Sequence, residues 1–99
     1  MVEAQNIKNI DQFVDKSLLL VDDDNPFRER LARAMEKKGF AVSQAESVKN
    51  GIVLAKQKKP AFAVVDLRLG DGNGLQVVKE IQKSNSESNL SSVDEIFYI

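Results

Sequence analysis

The residues in this chain best suited to chemistry are aspartates, and their setting repeats. Asp22-Asp23-Asp24 follows directly on Leu18-Leu19-Leu20-Val21, and Asp66 follows directly on Ala61-Phe62-Ala63-Val64-Val65. A short unbroken apolar run bounded by turn residues is the pattern of a strand buried on both faces of a parallel sheet. In open α/β sheets, ligands bind beyond the carboxyl ends of the strands. If the two runs are parallel neighbours, at least three carboxylates converge at one sheet edge.

Three chemistries use acidic clusters of this kind. A calcium loop starting at Asp71-Gly72-Asn73-Gly74 fails, because Leu75 and Gln76 stand at the next ligand and glycine positions and no Glu stands at the twelfth. Nucleotide hydrolysis would suit a Walker-B-like strand ending at Asp66, but no G-x-x-x-x-G-K-[ST] loop exists. The third is a magnesium-assisted phosphoryl acceptor, in which one carboxylate is the nucleophile and its acidic neighbours hold a hard cation. Electrostatics favours it: carboxylates a few ångströms apart repel, and a divalent ion among them leaves Asp66 ionised and nucleophilic. Asp22 and Asp23 are adjacent and would face opposite ways on a strand. Both reach one ion only if the strand ends there, one directly and one partly through water. Asp24 reads as a helix cap or a solvated side chain, and Gly74 as backbone geometry rather than a phosphate contact.

Composition narrows the rest. The 99 residues make one small domain, with 42% hydrophobic and 29% charged residues and a net charge of −1. No bulk attraction to nucleic acid or membrane follows from that charge. The chain has neither cysteine nor histidine, which excludes disulfides, thiolate-bound metals, histidine catalysis and most zinc sites. No apolar run approaches the roughly 18 residues of a membrane span, and the N-terminus lacks a signal-peptide layout. A cytoplasmic location without membrane contact is the expectation.

The elements that must position the aspartates alternate. Residues 1–16 are a lead-in, in which Ile7, Ile10, Phe13 and Val14 recur at helical spacing; a short amphipathic helix and a loosely ordered segment are both open. Ser17 to Asp22 is the first strand. Asn25 can cap and Pro26 suits the first turn of a helix whose stripe is Phe27, Leu31, Ala34, Met35 and Lys38. Lys37 and Lys38 suit its end and Gly39 its termination. Phe40 to Ala45 reads as an edge strand. Ser47 caps a second helix with Val48, Gly51, Ile52 and Ala55 inward; Lys56, Lys58 and Lys59 end it as a solvated face, and Pro60 stops it. Asp71 to Gly74 is a turn, and Leu75, Val77, Val78 and Ile81 give a third helix to about Lys83. The order β-α-β-α-β-α implies a parallel sheet with right-handed crossovers. Residues 84–99 are a polar linker and a tail in which Val93 to Ile99 can form one more strand.

At these residues the sequence resembles the receiver domains of bacterial two-component response regulators. Leu18-Leu19-Leu20-Val21-Asp22-Asp23-Asp24 looks like their first strand and acid pair, and Val64-Val65-Asp66-Leu67-Arg68-Leu69, with Gly74 beyond, like their phosphoacceptor motif. Ala34-Met35-Glu36-Lys37-Lys38-Gly39-Phe40 and Asp66 through Leu75 are similar to the RegA/PrrA/ActR group of redox-responding regulators. The resemblance implies a flavodoxin-like (CheY-like) α/β fold with strand order 2-1-3. It implies that Asp66 takes a phosphoryl group from a sensor histidine kinase. Asp22, Asp23, Asp66 and the Arg68 backbone carbonyl would hold Mg²⁺. The role would be transcription-regulating signal transduction, not turnover catalysis. Gly70 departs from the proline that many receivers carry there.

The resemblance covers 17–83. Receivers continue with a fourth strand ending in Thr or Ser and a fifth ending in Lys. Ser91 and Ser92 precede the candidate strand where the switch hydroxyl should follow one, and the subgroup's helix-turn-helix DNA-binding domain has no counterpart here. The expectation is a C-terminally truncated receiver, from truncation or a reading-frame change. It would be marginally stable or self-associating as a homodimer unless Val93 to Ile99 fills the empty edge. The rival reading is a non-switching interaction fragment that dimerises or titrates the kinase. A haloacid-dehalogenase-like phosphatase is disfavoured, because Asp22-Asp23-Asp24-Asn25-Pro26 lacks the Thr of D-x-D-x-T.

Overall fold

Two of the strands have no polar face to offer water. Ser17–Val21 (β1) and Phe62–Val65 (β3) are buried along both sides, so the chain must place layers on each face of the sheet they form. The computed structural model describes residues 15–87 and 95–98. The elements follow in the order β1, α1 (Asn25–Lys37), β2 (Ala41–Ala45), α2 (Val48–Lys58), β3, β4 (Arg68–Leu69), β5 (Gly72–Asn73), α3 (Leu75–Glu87) and β6 (Glu95–Tyr98). All but the last two residues of the 1–16 lead-in, including the helically spaced Ile7, Ile10, Phe13 and Val14, and the hydroxyls of Ser91 and Ser92 lie outside the described residues.

The main sheet has the order β2-β1-β3-β6, every pair parallel. This is the flavodoxin-like α/β arrangement. β4 and β5 form a separate two-stranded antiparallel ribbon, where the sequence showed only a turn. The empty flank of β3 is taken by β6, with Phe62 opposite Glu95 and Val65 opposite Tyr98.

Alternation along the strands divides the core in two. Leu19, Val21, Ala63 and Val65 meet Val48 and Ala55 of α2 and Val77, Val78 and Ile81 of α3. Leu18, Leu20, Phe62 and Val64 meet Leu31, Ala32 and Met35 of α1, with Phe40 and Phe97 beside them. Fully buried side chains such as Leu19 and Leu20 each contribute about 1.5–3 kcal/mol. On the α1 side an apolar groove of about 210 Å³ remains, lined by Leu18, Leu31, Met35, Phe40, Val64 and Phe97.

Three local expectations are corrected. Asn25 is not the cap of α1 but already helical; Asp24, which also read as a helix cap, fills that place and accepts from the Phe27 N–H at 3.1 Å. The inward stripe of α1 is turned by one residue: Arg28 and Ala32 are buried, while Ala34 and Lys38 are exposed. α3 continues to Glu87 instead of ending near Lys83, because Ser84 is buried and donates its hydroxyl proton to Glu80 at 2.7 Å. The lysines fall as the helix ends demand: Lys37 closes α1, and Lys56 and Lys58 close α2, all at the end of the sheet opposite the strand carboxyl termini.

Candidate functional site

The parallel register delivers the carboxylates together. Val21 pairs with Val65, so the residues that follow, Asp22 and Asp66, leave the sheet side by side. The ladder continues one bond beyond each strand: the Asp66 N–H donates to the Val21 carbonyl at 2.8 Å, and the Asp22 N–H to the Ala45 carbonyl at 3.1 Å. The main chain at both residues is therefore fixed by the sheet. Carboxylate oxygens of Asp22, Asp23 and Asp66 all lie within 4.8 Å of one another. Asp22 is buried, Asp66 half-buried and Asp23 exposed, so the cluster opens to solvent on one side.

Each carboxylate has its own surroundings. Asp22 Oδ1 accepts the Asp24 N–H at 2.9 Å. Burial raises the Asp22 pKa above the usual carboxylate range; the Asp24 N–H bond opposes this, and repulsion from Asp66, Asp23 and Asp24 adds to it. Asp66 Oδ1 accepts the Arg68 N–H at 2.9 Å, which ties the phosphoacceptor candidate to the start of its own loop. Arg68 meets the cluster through its amide proton, whereas the sequence reading assigned it a part through its backbone carbonyl; its side chain is exposed. Asp24 stands apart from the triad, as the cap of α1.

Gly74 closes the loop by close approach. Its N–H donates to the Leu67 carbonyl at 3.1 Å. A Cβ there would overlap the Asp66 carbonyl oxygen and stand 2.9 Å from Val65 Cγ1. Backbone geometry, as read from the sequence, accounts for this glycine. Gly70, where many receivers have proline, lies against the site: a Cβ would sit 3.8 Å from Asp23 Oδ2.

Two residues around the site were missed in the sequence. Arg28 is buried and donates to the Asp22 carbonyl at 2.8 Å, to Asn25 Oδ1 at 2.7 Å and to Gln44 Oε1 at 3.0 Å. Its spacing with Ala32 and Met35 on one helical face was the available signal. Asp71 accepts from the Val48 and Lys49 N–H groups, a partnership more than twenty residues distant that no local pattern marks.

The donor set suits a hard divalent cation: three carboxylates, no nitrogen or sulfur ligand among them, and mutual repulsion that a cation relieves. A strand-end acid triad on a doubly wound parallel sheet defines the class of aspartate-bearing receiver modules. The chain belongs to the response regulator receiver domain family, whose model matches residues 18–93.

Relatives narrow the comparison. Over 76 residues, 77% of this chain, it is 54% identical to the photosynthetic apparatus regulatory protein RegA of Cereibacter sphaeroides, covering 41% of that protein. It is 57% identical over the same length to the acid tolerance regulatory protein ActR of Sinorhizobium medicae, covering 39% of it. The chain thus spans about two-fifths of the length of these relatives. Among solved structures, a CheY-like receiver domain protein from Methanospirillum hungatei JF-1 superposes with a TM-score of 0.67 at 19% identity, covering 85% of this chain and 81% of that one. A response regulator from Burkholderia pseudomallei, solved with a phosphorylated aspartic acid and a calcium ion, superposes with a TM-score of 0.63 at 26% identity, covering 85% of this chain and 59% of that one. Among the described residues no helix is long and apolar enough to cross a membrane.

Proposed function

We propose that this chain is the phosphoacceptor module of a cytoplasmic two-component phosphorelay, with Asp66 as the acceptor and Mg²⁺ held by Asp22, Asp23, Asp66 and the Arg68 carbonyl. The supporting observation is the convergence of three carboxylates within 4.8 Å beyond two parallel strands. With Asp66 Oδ1 engaged by the Arg68 N–H, the other carboxylate oxygen is the one presented for in-line attack. The step forms a bond from that oxygen to phosphorus and breaks the phosphorus–nitrogen bond of a partner kinase's phosphohistidine. When bound, the cation would supply neutralisation of charge on the phosphoryl oxygens. Asp22 and Asp23 would hold it, and the sheet fixes the main chain at Asp22 and Asp66 so that little reorganisation accompanies transfer. The chain is an acceptor, turned over by its partners, and not an enzyme in its own right. Its likeness to RegA and ActR, both named as regulatory proteins, supports a part in regulatory signalling, which we extend to the control of transcription.

The test is phosphorylation by acetyl phosphate in Mg²⁺, followed by intact-mass spectrometry. One added phosphoryl group is expected on the wild-type chain and none on Asp66→Asn or without divalent cation. Phosphorylation persisting in Asp66→Asn sinks the assignment.

One observation favours a second reading, a fragment that binds its kinase or a second copy without switching. β6 runs parallel beside β3 with Tyr98 level with Val65, and Ile99 follows in the sequence. At the end of this strand, where the receiver resemblance calls for Thr or Ser, the sequence offers Tyr98 and Ile99. Phosphorylation that shifts amide resonances only around Asp66 would favour this reading.

A further inference from the structure

We infer that Asp71 is a positioning residue of the acid site, fastening the loop that follows Asp66 to the N-terminus of α2. The inference rests on the phosphoacceptor reading above. The loop leaves Asp66, passes beside Asp23 at Gly70, and returns against the Asp66 carbonyl at Gly74. It carries the Arg68 N–H that holds Asp66 Oδ1. Its only regular structure is the ribbon of β4 and β5, two residues each, and an isolated hairpin of that size is too small to hold its own shape.

What holds it comes from across the sheet edge. Asp71 Oδ1 accepts the Val48 N–H at 2.8 Å and Oδ2 the Lys49 N–H at 3.1 Å. Gly72, next in the loop, packs on the same helix end: a Cβ there would lie 3.3 Å from Val48 Cγ2. Helix α2 already has its own cap, since the Ser47 hydroxyl accepts the Asn50 N–H at 3.1 Å. The Asp71 contacts satisfy two further amide groups of the first turn, and they join segments 22 and 23 residues apart. These two bonds also hold the exposed Asp71 carboxyl below the usual carboxylate range, so the tie is a charged one in neutral solution. The Asp71 carboxylate hydrogen-bonds to α2 and not to the triad. It acts by keeping Arg68 and Gly70 where they meet Asp66 and Asp23.

The two caps of one helix separate positioning from stability. Ser47→Ala removes the local cap and leaves the loop fastened; Asp71→Ala releases the loop; Asp71→Asn keeps an oxygen acceptor. The full 99-residue chain and these variants are titrated with MgCl₂ by amide NMR, and their phosphorylation by acetyl phosphate is timed by mass spectrometry. Asp71→Ala is expected to weaken Mg²⁺ binding about tenfold, the scale of losing a residue that orients metal ligands, and to slow phosphorylation. Ser47→Ala is expected to keep wild-type affinity despite a lower melting temperature, and Asp71→Asn to fall between. Equal Mg²⁺ affinities in Asp71→Ala and Ser47→Ala overturn the inference and leave the phosphoacceptor reading standing. A wild-type chain that binds no Mg²⁺ and accepts no phosphoryl group overturns both.

Discussion

The Arg28 guanidinium donates to the main-chain carbonyl of Asp22 at 2.8 Å. These two are the buried charged residues among those described. All three acceptors of Arg28 are neutral oxygens, on Asp22, Asn25 and Gln44, so the cation is stabilised by hydrogen bonds and not by an ion pair. It joins the end of β1, the start of α1 and the edge strand β2 at the level of the acid cluster. Arg28→Ala leaves these acceptors without their donor and is expected to cost about 2 kcal/mol. Urea unfolding checks this; an unchanged midpoint would mean that water replaces the guanidinium at no cost.

Gly74 admits no side chain. An added methyl would overlap the Asp66 carbonyl oxygen and crowd Val65, and neither strand-end backbone nor a buried valine gives way easily. Gly74→Ala is expected to destabilise the chain by about 1–3 kcal/mol, the range for overpacking. It should also slow acetyl phosphate phosphorylation by moving Asp66. A variant with wild-type stability and rate would show that the loop relaxes freely.

Asp22 and Asp71 make the protein's stability respond to pH with opposite signs. Burial, chiefly, raises the Asp22 pKa from 3.8. The folded state therefore keeps that proton to higher pH than the unfolded chain, and Asp22 opposes folding increasingly as pH rises from 3.8 through its folded value. The Val48 N–H, and after it the Lys49 N–H, lowers the Asp71 pKa. That contribution is present above 3.8 and is lost as pH falls through the lowered folded value. In metal-free melts from acid to neutral pH, Asp22→Asn is expected to raise the neutral-pH melting temperature, and Asp71→Asn to lower it and flatten the acid limb. MgCl₂ at ten times its Kd should add about 1.4 kcal/mol to the wild type and nothing to Asp22→Asn. A neutral-pH loss in Asp22→Asn would reverse the assignment.

β6 holds its place by Ile96 and Phe97, which reach the two cores on opposite faces of the sheet. Phe97 is half-buried and lines the groove beside Val64. Phe97→Ala is expected to cost about 2 kcal/mol, less than a fully enclosed phenylalanine, with amide exchange quickening along β3. An unchanged melt would mean that β6 adds nothing to the sheet.

How much of this was legible follows from what each feature depends on. β1 and β3 were plain because burial on both faces leaves an unbroken apolar run, and Asp22, Asp23 and Asp66 were plain because they end such runs. The edge position of β2 and the caps at Ser47 and Gly39 followed from local residue chemistry. The stripe of α1 was misjudged because a buried arginine looks polar in a sequence, and Phe27 drew the stripe one residue out of phase. The third helix was ended early because Ser84 looks like a linker residue until its hydroxyl finds Glu80. The Asp71 contact needed the fold itself, since Val48 is a neighbour only once β1, β2 and β3 are side by side.

The placing of the lysines has a consequence of its own. With a net charge of −1, the molecule is nearly neutral seen from afar. Seen closer its charges are unevenly sorted: Asp22, Asp23, Asp24, Asp66 and Asp71 lie beyond one end of the sheet with Lys49 and Arg68 exposed beside them, and Lys37, Lys38, Lys56, Lys58 and Lys59 lie beyond the other. Such a body feels little net pull from a charged partner but a real torque, and it turns before it touches. That alignment fades beyond the roughly 8 Å over which physiological salt lets charges be felt. Its effect is therefore confined to short range, where it favours presenting the aspartate end to a positively charged surface.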